Sequence, residues 1–563
     1  MNFCLSKFRG LLVATTAAMA VDFLMSMTDR VIAGHLLGER ALAGLGLCQG
    51  ADQLAMFVAF ALSVGGSVRY LRAVGKFRRR AASRIFGCGL IASVLAGVTL
   101  SAALWLGADA CLGLFEADAA TLAHATAYWR WFAAAVAVMP TMIYVMSMVF
   151  ADGDEDTCLV AYPVQLAVNA GASYALCRAY GTAGCAMGTL CGYAAALAVY
   201  STHFLRKANS LRFRAYFSLR EAGLILRGGA SDSLVQLGWA TVSFAICRLT
   251  SVRFGAEMLP VAATVVSLTG FTIVFDGVAT AAQPLLEVYV AERNWSRVRL
   301  LAGACVRTVL AEAAALSLVT WVAPGALLAV FGIAPGTEIA AESTWAMRAV
   351  GLSMVAWAVA AFFNSYYQFL NRLGAACLLT AAKEMAFPLA FLWIGSQFGF
   401  RWMWAAYALA APCALAAFAW WLGSRTPCGE FPLCVPRPGD IRIWDVTVGT
   451  ESAAGVSREL ARALAERGLG DARAKMAPLI AEETLMLIAE RNAGRKVRAE
   501  VTLDLSRERP TLVIRDDGTI FDLTDADQAV SSFRTYLVAE LMQSQRERAN
   551  LTTTGFNRNR FVF

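Results

Sequence analysis

The sequence predicts an all-α polytopic membrane protein of about twelve transmembrane helices in two pseudo-symmetric six-helix bundles, followed by a cytosolic α/β sandwich domain. Three observations predict it. Of the 563 residues, 58% are hydrophobic and only 16% charged, whereas roughly a quarter of an ordinary soluble chain is Asp, Glu, Lys or Arg. Residues 10–423 divide into apolar segments of about the 20 residues that a bilayer crossing needs. After Trp421 the composition becomes that of a soluble domain. The same figures exclude disorder, a collagen-like repeat and a disulfide scaffold, and the net charge of +8 is too diluted for a nucleic-acid surface. Cysteines such as Cys48, Cys88, Cys177, Cys191 and Cys247 stand singly in apolar runs, where a thiol behaves as a small hydrophobe.

The spans fall near 10–33, 46–69, 84–108, 127–150, 158–177, 183–204, 228–251, 259–286, 300–323, 345–369, 375–397 and 402–423. The first follows Lys7 and Arg9 and runs on without a small-residue cleavage site, so it reads as a retained helix rather than a signal peptide. Lys and Arg concentrate in the even-numbered loops, as in Arg69 to Arg84, Arg206 to Arg227 and Arg293 to Arg299, while the loops 109–127 and 324–344 have none. The acidic loop around Asp152 and Asp154 is an exception. This asymmetry predicts a multi-pass protein of the inner (plasma) membrane with both termini cytoplasmic. The long basic loop divides the membrane part into lobes at 1–213 and 214–424. The halves echo each other weakly, Val138 to Phe150 against Val350 to Phe362, and duplicated lobes around a shared cavity are a common transporter plan.

Residues 425–439 are a Pro-rich linker, and 440–563 are long enough for a core of their own. Val497, Ala499, Val501, Leu503 and Leu505 alternate with polar residues, as a half-buried strand does. A turn at Ser506 to Pro510 leads to a second strand, Thr511 to Asp516, and residues 472–491 have helical spacing.

Ionisable groups inside a span are costly and are expected to face a watery cavity or a partner. Asp22, Ser26 and Asp29 fall on one stripe of the first helix. A carboxylate held there is suited to binding a proton or Na⁺. The bland alternative is that Asp29 meets water at the helix end or pairs with Arg30. Asn169 and Ser173, four residues apart in span five, would add neutral oxygen ligands, although such residues more often stabilise helix contacts. Asp52, Asp276, Glu287, Glu312 and the Lys383/Glu384 pair are further intramembrane candidates.

The stretch from Asp29 to Gly46, together with Phe150-Ala-Asp-Gly-Asp154, Val168-Asn169, Tyr180 to Gly188 and Ala281-Ala-Gln-Pro-Leu-Leu286, resembles the multidrug and toxic compound extrusion (MATE) family over about residues 10–423. The resemblance implies a transporter rather than an enzyme. Its cargo would be a small-molecule organic cation or amphipathic drug, exported in exchange for Na⁺ or H⁺ by a protein whose surroundings are membrane lipid. It matches Asp29 to the family's coupling carboxylate and Asn169 to its helix-five asparagine. Ser173 stands where many members have an acid, and Trp239 near where some have a glutamate. A lipid-linked substrate flippase of related fold, and a membrane sensor that signals through its tail, are the alternatives.

The tail resembles the anti-sigma-factor kinase branch of the histidine-kinase-like ATPases at Glu482 to Asn492, Val513 to Asp522 and Thr554 to Asn557. This implies ATP binding through Glu483, Asp516, Gly518 and Asp522. Leu487 replaces the asparagine that would hold Mg²⁺, and Ser531 to Tyr536 lacks lid glycines, so weak or absent hydrolysis is expected. A regulatory role, or the capture of a cytosolic regulatory protein, is the corresponding expectation.

Overall fold

The computed structural model describes residues 2–75, 79–152, 154–205, 211–436, 440–467, 476–506, 510–519, 547–553 and 556–563. The membrane part is built of α1 (Phe3–Leu37), α2 (Glu39–Gly75), α3 (Arg79–Leu112), α4 (Ala119–Ala151), α5 (Glu155–Tyr180), α6 (Thr182–Ser201), α7 (Leu219–Phe254), α8 (Leu259–Thr269), α9 (Ile273–Ala291), α10 (Trp295–Val322), α11 (Pro324–Val330), α12 (Glu338–Phe369), α13 (Leu373–Ala381), α14 (Phe387–Ser396) and α15 (Phe400–Gly423). Among the described residues, nine helical stretches are long and apolar enough to cross a membrane. The first, fifth and seventh predicted spans are the helices α1, α5 and α7.

Local sequence explains the boundaries. Asp118 caps α4 by accepting from the Thr121 backbone N–H at 3.2 Å, and Asp154 caps α5 by accepting from that of Thr157 at 3.2 Å. Gly181, at φ +62°, turns the chain between α5 and α6. Between α13 and α14 lies one π-helical turn, Ala382–Ala386. Pro388 has no N–H to give to the Glu384 carbonyl four residues back and its ring crowds it, a sufficient cause for the wide turn.

The chain divides into two compact units. One comprises Thr15–Ala279 and Val306–Ser424. Its helices approach closely through small residues. Gly184, Gly188 and Gly192 form a stripe on α6 at which added Cβ atoms would collide with Leu176, Ser173 and Asn169 of α5.

The other unit comprises Met1–Ala14, Thr280–Cys305 and Arg425–Phe563. It holds β1 (Ile441–Thr447), α16 (Thr450–Glu466), α17 (Ala477–Arg491), β2 (Arg498–Asp504), β3 (Thr511–Asp516), β4 (Glu547–Thr553) and β5 (Phe556–Val562). The strands form an antiparallel five-stranded sheet in the order β1-β2-β3-β5-β4. Ala499, Val501, Leu503, Leu512, Ile514 and Phe561 on one face share a core with α16 and α17. The alternation in β2 predicts a solvated opposite face, but there Glu500, Thr502 and Asp504 are buried as well. Residues of the two membrane-helix segments in this unit touch that face, as described below.

Candidate functional site

The site begins with the glycine stripe. Because Gly188 has no side chain, Ser173 of α5 fits against α6 beside Thr189, and Gly192 does the same for Asn169. These polar groups converge on α1. Asp29 accepts hydrogen bonds from the Ser173 hydroxyl at 3.0 Å, from Thr189 at 2.6 Å and from the Tyr128 phenol of α4 at 3.1 Å. Asn169 donates to the Thr189 hydroxyl at 3.2 Å, and its carbonyl oxygen is buried without a hydrogen-bond partner. Among the described residues, then, the partners of Asp29 are neutral hydroxyls, and no ion pair joins it to Arg30.

This group lines a cavity of about 570 Å³. Asp52, Asp276 and Glu384 reach the same cavity, giving four carboxylates with Asp29 against two bases, Arg30 and Lys383. Met27, Met56, Met142, Met146, Phe132 and Trp239 supply apolar wall, and methionine is an adaptable surface for varied ligands. In the same lining the π turn presents neighbouring Lys383 and Glu384 together. They form an ion pair, Trp357 Nε1 donates to Glu384 at 3.5 Å, and the Lys383 ammonium lies 5.3 Å from the Trp357 ring centroid. Trp239 stacks on Trp357 at 5.6 Å.

Of the sequence-predicted residues, the structure brings Asp29, Asn169 and Ser173 into one network and places Asp52, Asp276 and Glu384 around the same cavity. The side chains of Asp22 and Ser26 lie outside the described residues. Glu287 is exposed and accepts from Gln283 at 3.0 Å, outside the cavity lining. Glu312 does not line the cavity either. Tyr128 and Thr189 were not legible as site residues. Thr189 carried a signal all the same, since it follows the middle glycine of the stripe.

In the tail, Asp516 is fully buried. Its Oδ1 accepts from the Gly518 N–H at 3.0 Å and from Asn557 at 3.2 Å, while Oδ2 has no hydrogen-bond partner. Burial raises its pKa to about 6. An added Cβ at Gly518 would lie 2.6 Å from the Asn492 amide, so the turn needs glycine for this close approach. Glu483 is half-buried on α17, Leu487 lies in the apolar core, and Asp522 and the lid segment 531–536 lie outside the described residues.

Residues 14–174 match the MatE family model. No curated protein matches the chain significantly. Among solved structures, an inward-facing conformation of a multidrug resistance MATE family transporter of the MOP superfamily superimposes with a TM-score of 0.66 at 18% identity, covering 71% of this chain and 94% of that one. An outward-facing conformation described in the same terms gives 0.60 at 18% identity, covering 74% and 95%. A MOP superfamily transporter from Pyrococcus furiosus, described as having a binding pocket of reverse polarity that suggests a different function, gives 0.59 at 18% identity, covering 76% and 96%. The membrane part thus has the fold of multi-pass MATE transporters.

Proposed function

We propose that the protein is a secondary active antiporter, not an enzyme, which exports organic cations or amphipathic drugs in exchange for Na⁺ or H⁺. The observation that carries this reading is Asp29, held by three hydroxyls in the wall of a cavity with four carboxylates and two bases. The oxygen set suits either ion. Asn169 offers an unused carbonyl lone pair beside the carboxylate, and hydroxyls that now donate to Asp29 can rotate to turn lone pairs toward Na⁺. A proton would instead sit on the carboxyl itself. Either way the charge of Asp29 is cancelled by a mobile cation, and an organic cation entering the acidic cavity competes for the same negative field. The acidic excess favours this cargo over an anionic lipid-linked substrate.

Two halves rocking about the cavity would expose it alternately to the two sides of the inner membrane, with both termini in the cytoplasm. The tail is the regulatory part, and the free Asp516 oxygen supports purine recognition there, since it can accept from an exocyclic amine. The deciding experiment reconstitutes the full chain in proteoliposomes and follows ethidium movement under an imposed Na⁺ or pH gradient. Transport driven by one gradient and lost in Asp29→Asn supports the proposal. Indifference to both gradients removes it.

A further inference from the structure

The tail sheet has two buried faces, and its own helices cover only one. On the other, Glu500 of β2, Arg515 of β3 and Arg558 of β5 form one cross-strand row, Glu500 opposite Arg515 and Arg515 opposite Arg558. Two arginines directly opposed on a sheet repel each other. Glu292, just past the end of α9, resolves this by pairing with both. Arg297, at the start of α10, pairs with Glu500 and with Asp445 of β1, each at 2.7 Å, and Tyr289 donates to Glu500 at 3.2 Å.

The first turn of α1 joins the same assembly. The Phe3 N–H donates to Asp445 at 3.0 Å, Arg498 donates to the Ser6 hydroxyl, and Lys7 lies 4.0 Å from Asp517. Glu500 is 0% and Arg515 1% exposed, so these are not surface pairs screened by water. Removing one member strands the charge of another in a dry setting, which makes the cluster costly to disrupt singly.

The two held segments lead to the cavity. Helix α1 runs from Phe3 to Leu37 and so carries both Ser6 and Asp29. Helix α9 carries Asp276 near its start and Tyr289 near its end. In sequence, α1 belongs to the first membrane half, and α9 and α10 to the second.

From this we infer that the tail is a clasp. Its Glu500–Arg515–Arg558 row grips the α9–α10 turn, and Asp445, Arg498 and Asp517 beside the row hold the N-terminal end of α1, restraining the two helices that carry Asp29 and Asp276 and slowing transport while it is docked. The restraint follows from its two attachments: if the halves must rock relative to each other, a rigid sheet fastened to one helix of each opposes that motion. The transport half of the inference rests on the proposed antiport, whereas the docking half does not.

The test uses the full chain with Glu292→Arg and Arg515→Glu, alongside the milder Tyr289→Phe. Hydrogen exchange of residues 3–8 and 289–297 reads docking, and ethidium transport in proteoliposomes reads turnover. Each single reversal is expected to raise exchange in both segments at least tenfold and to speed transport several-fold. Tyr289→Phe should shift both the same way by less, so misfolding of the reversals does not leave the question open. Unchanged exchange in the single variants overturns the clasp. Released segments with unchanged or slower transport overturn the restraint. If no variant and no wild-type sample moves ethidium, the antiport reading fails while the exchange data still decide docking.

Discussion

Replacing Gly188 by alanine should disable the Asp29 site without unfolding the protein, and the size of the effect follows from the geometry. An alanine Cβ there would lie 2.1 Å from Ser173 Oγ, 2.4 Å from its backbone N and 2.6 Å from its Cα, where ordinary contact begins near 3.4 Å. The hydroxyl can rotate away, but the two backbone atoms cannot, so α5 and α6 must separate by about 1 Å. Overpacking of this kind costs about 1–3 kcal/mol, which a chain of this size tolerates. The site does not tolerate it. A shift of that size takes the 3.0 Å bond from Ser173 to Asp29 beyond hydrogen-bonding range. A hydrogen bond to a charged group contributes about 1.5–3 kcal/mol, so gradient-driven ethidium transport should fall by about tenfold or more. Gly171, on α5 between Asn169 and Ser173, meets nothing within 4 Å and is the matched control. Gly171→Ala should transport normally. Normal transport by Gly188→Ala, or equal loss in both variants, would refute the idea that close α5–α6 contact builds the site.

Asp29→Asn should fold and still bind ethidium but lose coupled transport entirely in imposed-gradient proteoliposomes. Pro388→Ala should let the Ala382–Ala386 turn relax to a regular helix, turning Glu384 away from Trp357 and weakening ethidium binding by about tenfold, measured by fluorescence titration. In the tail, Asp516 has a folded pKa near 6, above its unfolded value near 4, so the folded state holds the proton more tightly. Its contribution is therefore fully present below pH 4 and is lost as the pH rises through 6, by on the order of 3 kcal/mol. Asp516→Asn should remove that slope and leave the tail more stable than wild type at pH 7, read by hydrogen exchange of β2 and β3. A steeper slope in the variant would contradict the burial argument.

The helical membrane part was legible because lipid imposes length and apolarity together: a run such as Leu90 to Ala108 fits little else. Asp29, Asn169 and Ser173 were legible because polar residues inside a span need a reason. Tyr128 was not, since its neighbours Trp129 and Arg130 make it look like an interfacial anchor and nothing local says that its hydroxyl reaches another helix. Nor was the π turn at Lys383 and Glu384, although Pro388 was its visible cause. The second buried face of β2 was hidden for another reason. Strand alternation reports which residues suit a solvated face, and Glu500 looks solvated whether it meets water or Arg297 and Arg515.

That difference separates the two acidic centres functionally. Glu500 is surrounded by cations, and a carboxylate paired in this way is fixed: protonating it or moving it leaves arginines stranded, which suits a fastening. Asp29 is surrounded by hydroxyls that stabilise its charge without neutralising it, so the site keeps a net negative charge that only a cation from outside can cancel. A lysine at Thr189 would convert the second kind of site into the first. Thr189→Lys should therefore fold with Asp29 permanently paired, and transport should become independent of the imposed gradient or stop. If the variant still couples ethidium movement to the same gradient as wild type, the exchangeable charge lies elsewhere in the cavity, and Asp52, Asp276 and Glu384 become the residues to test.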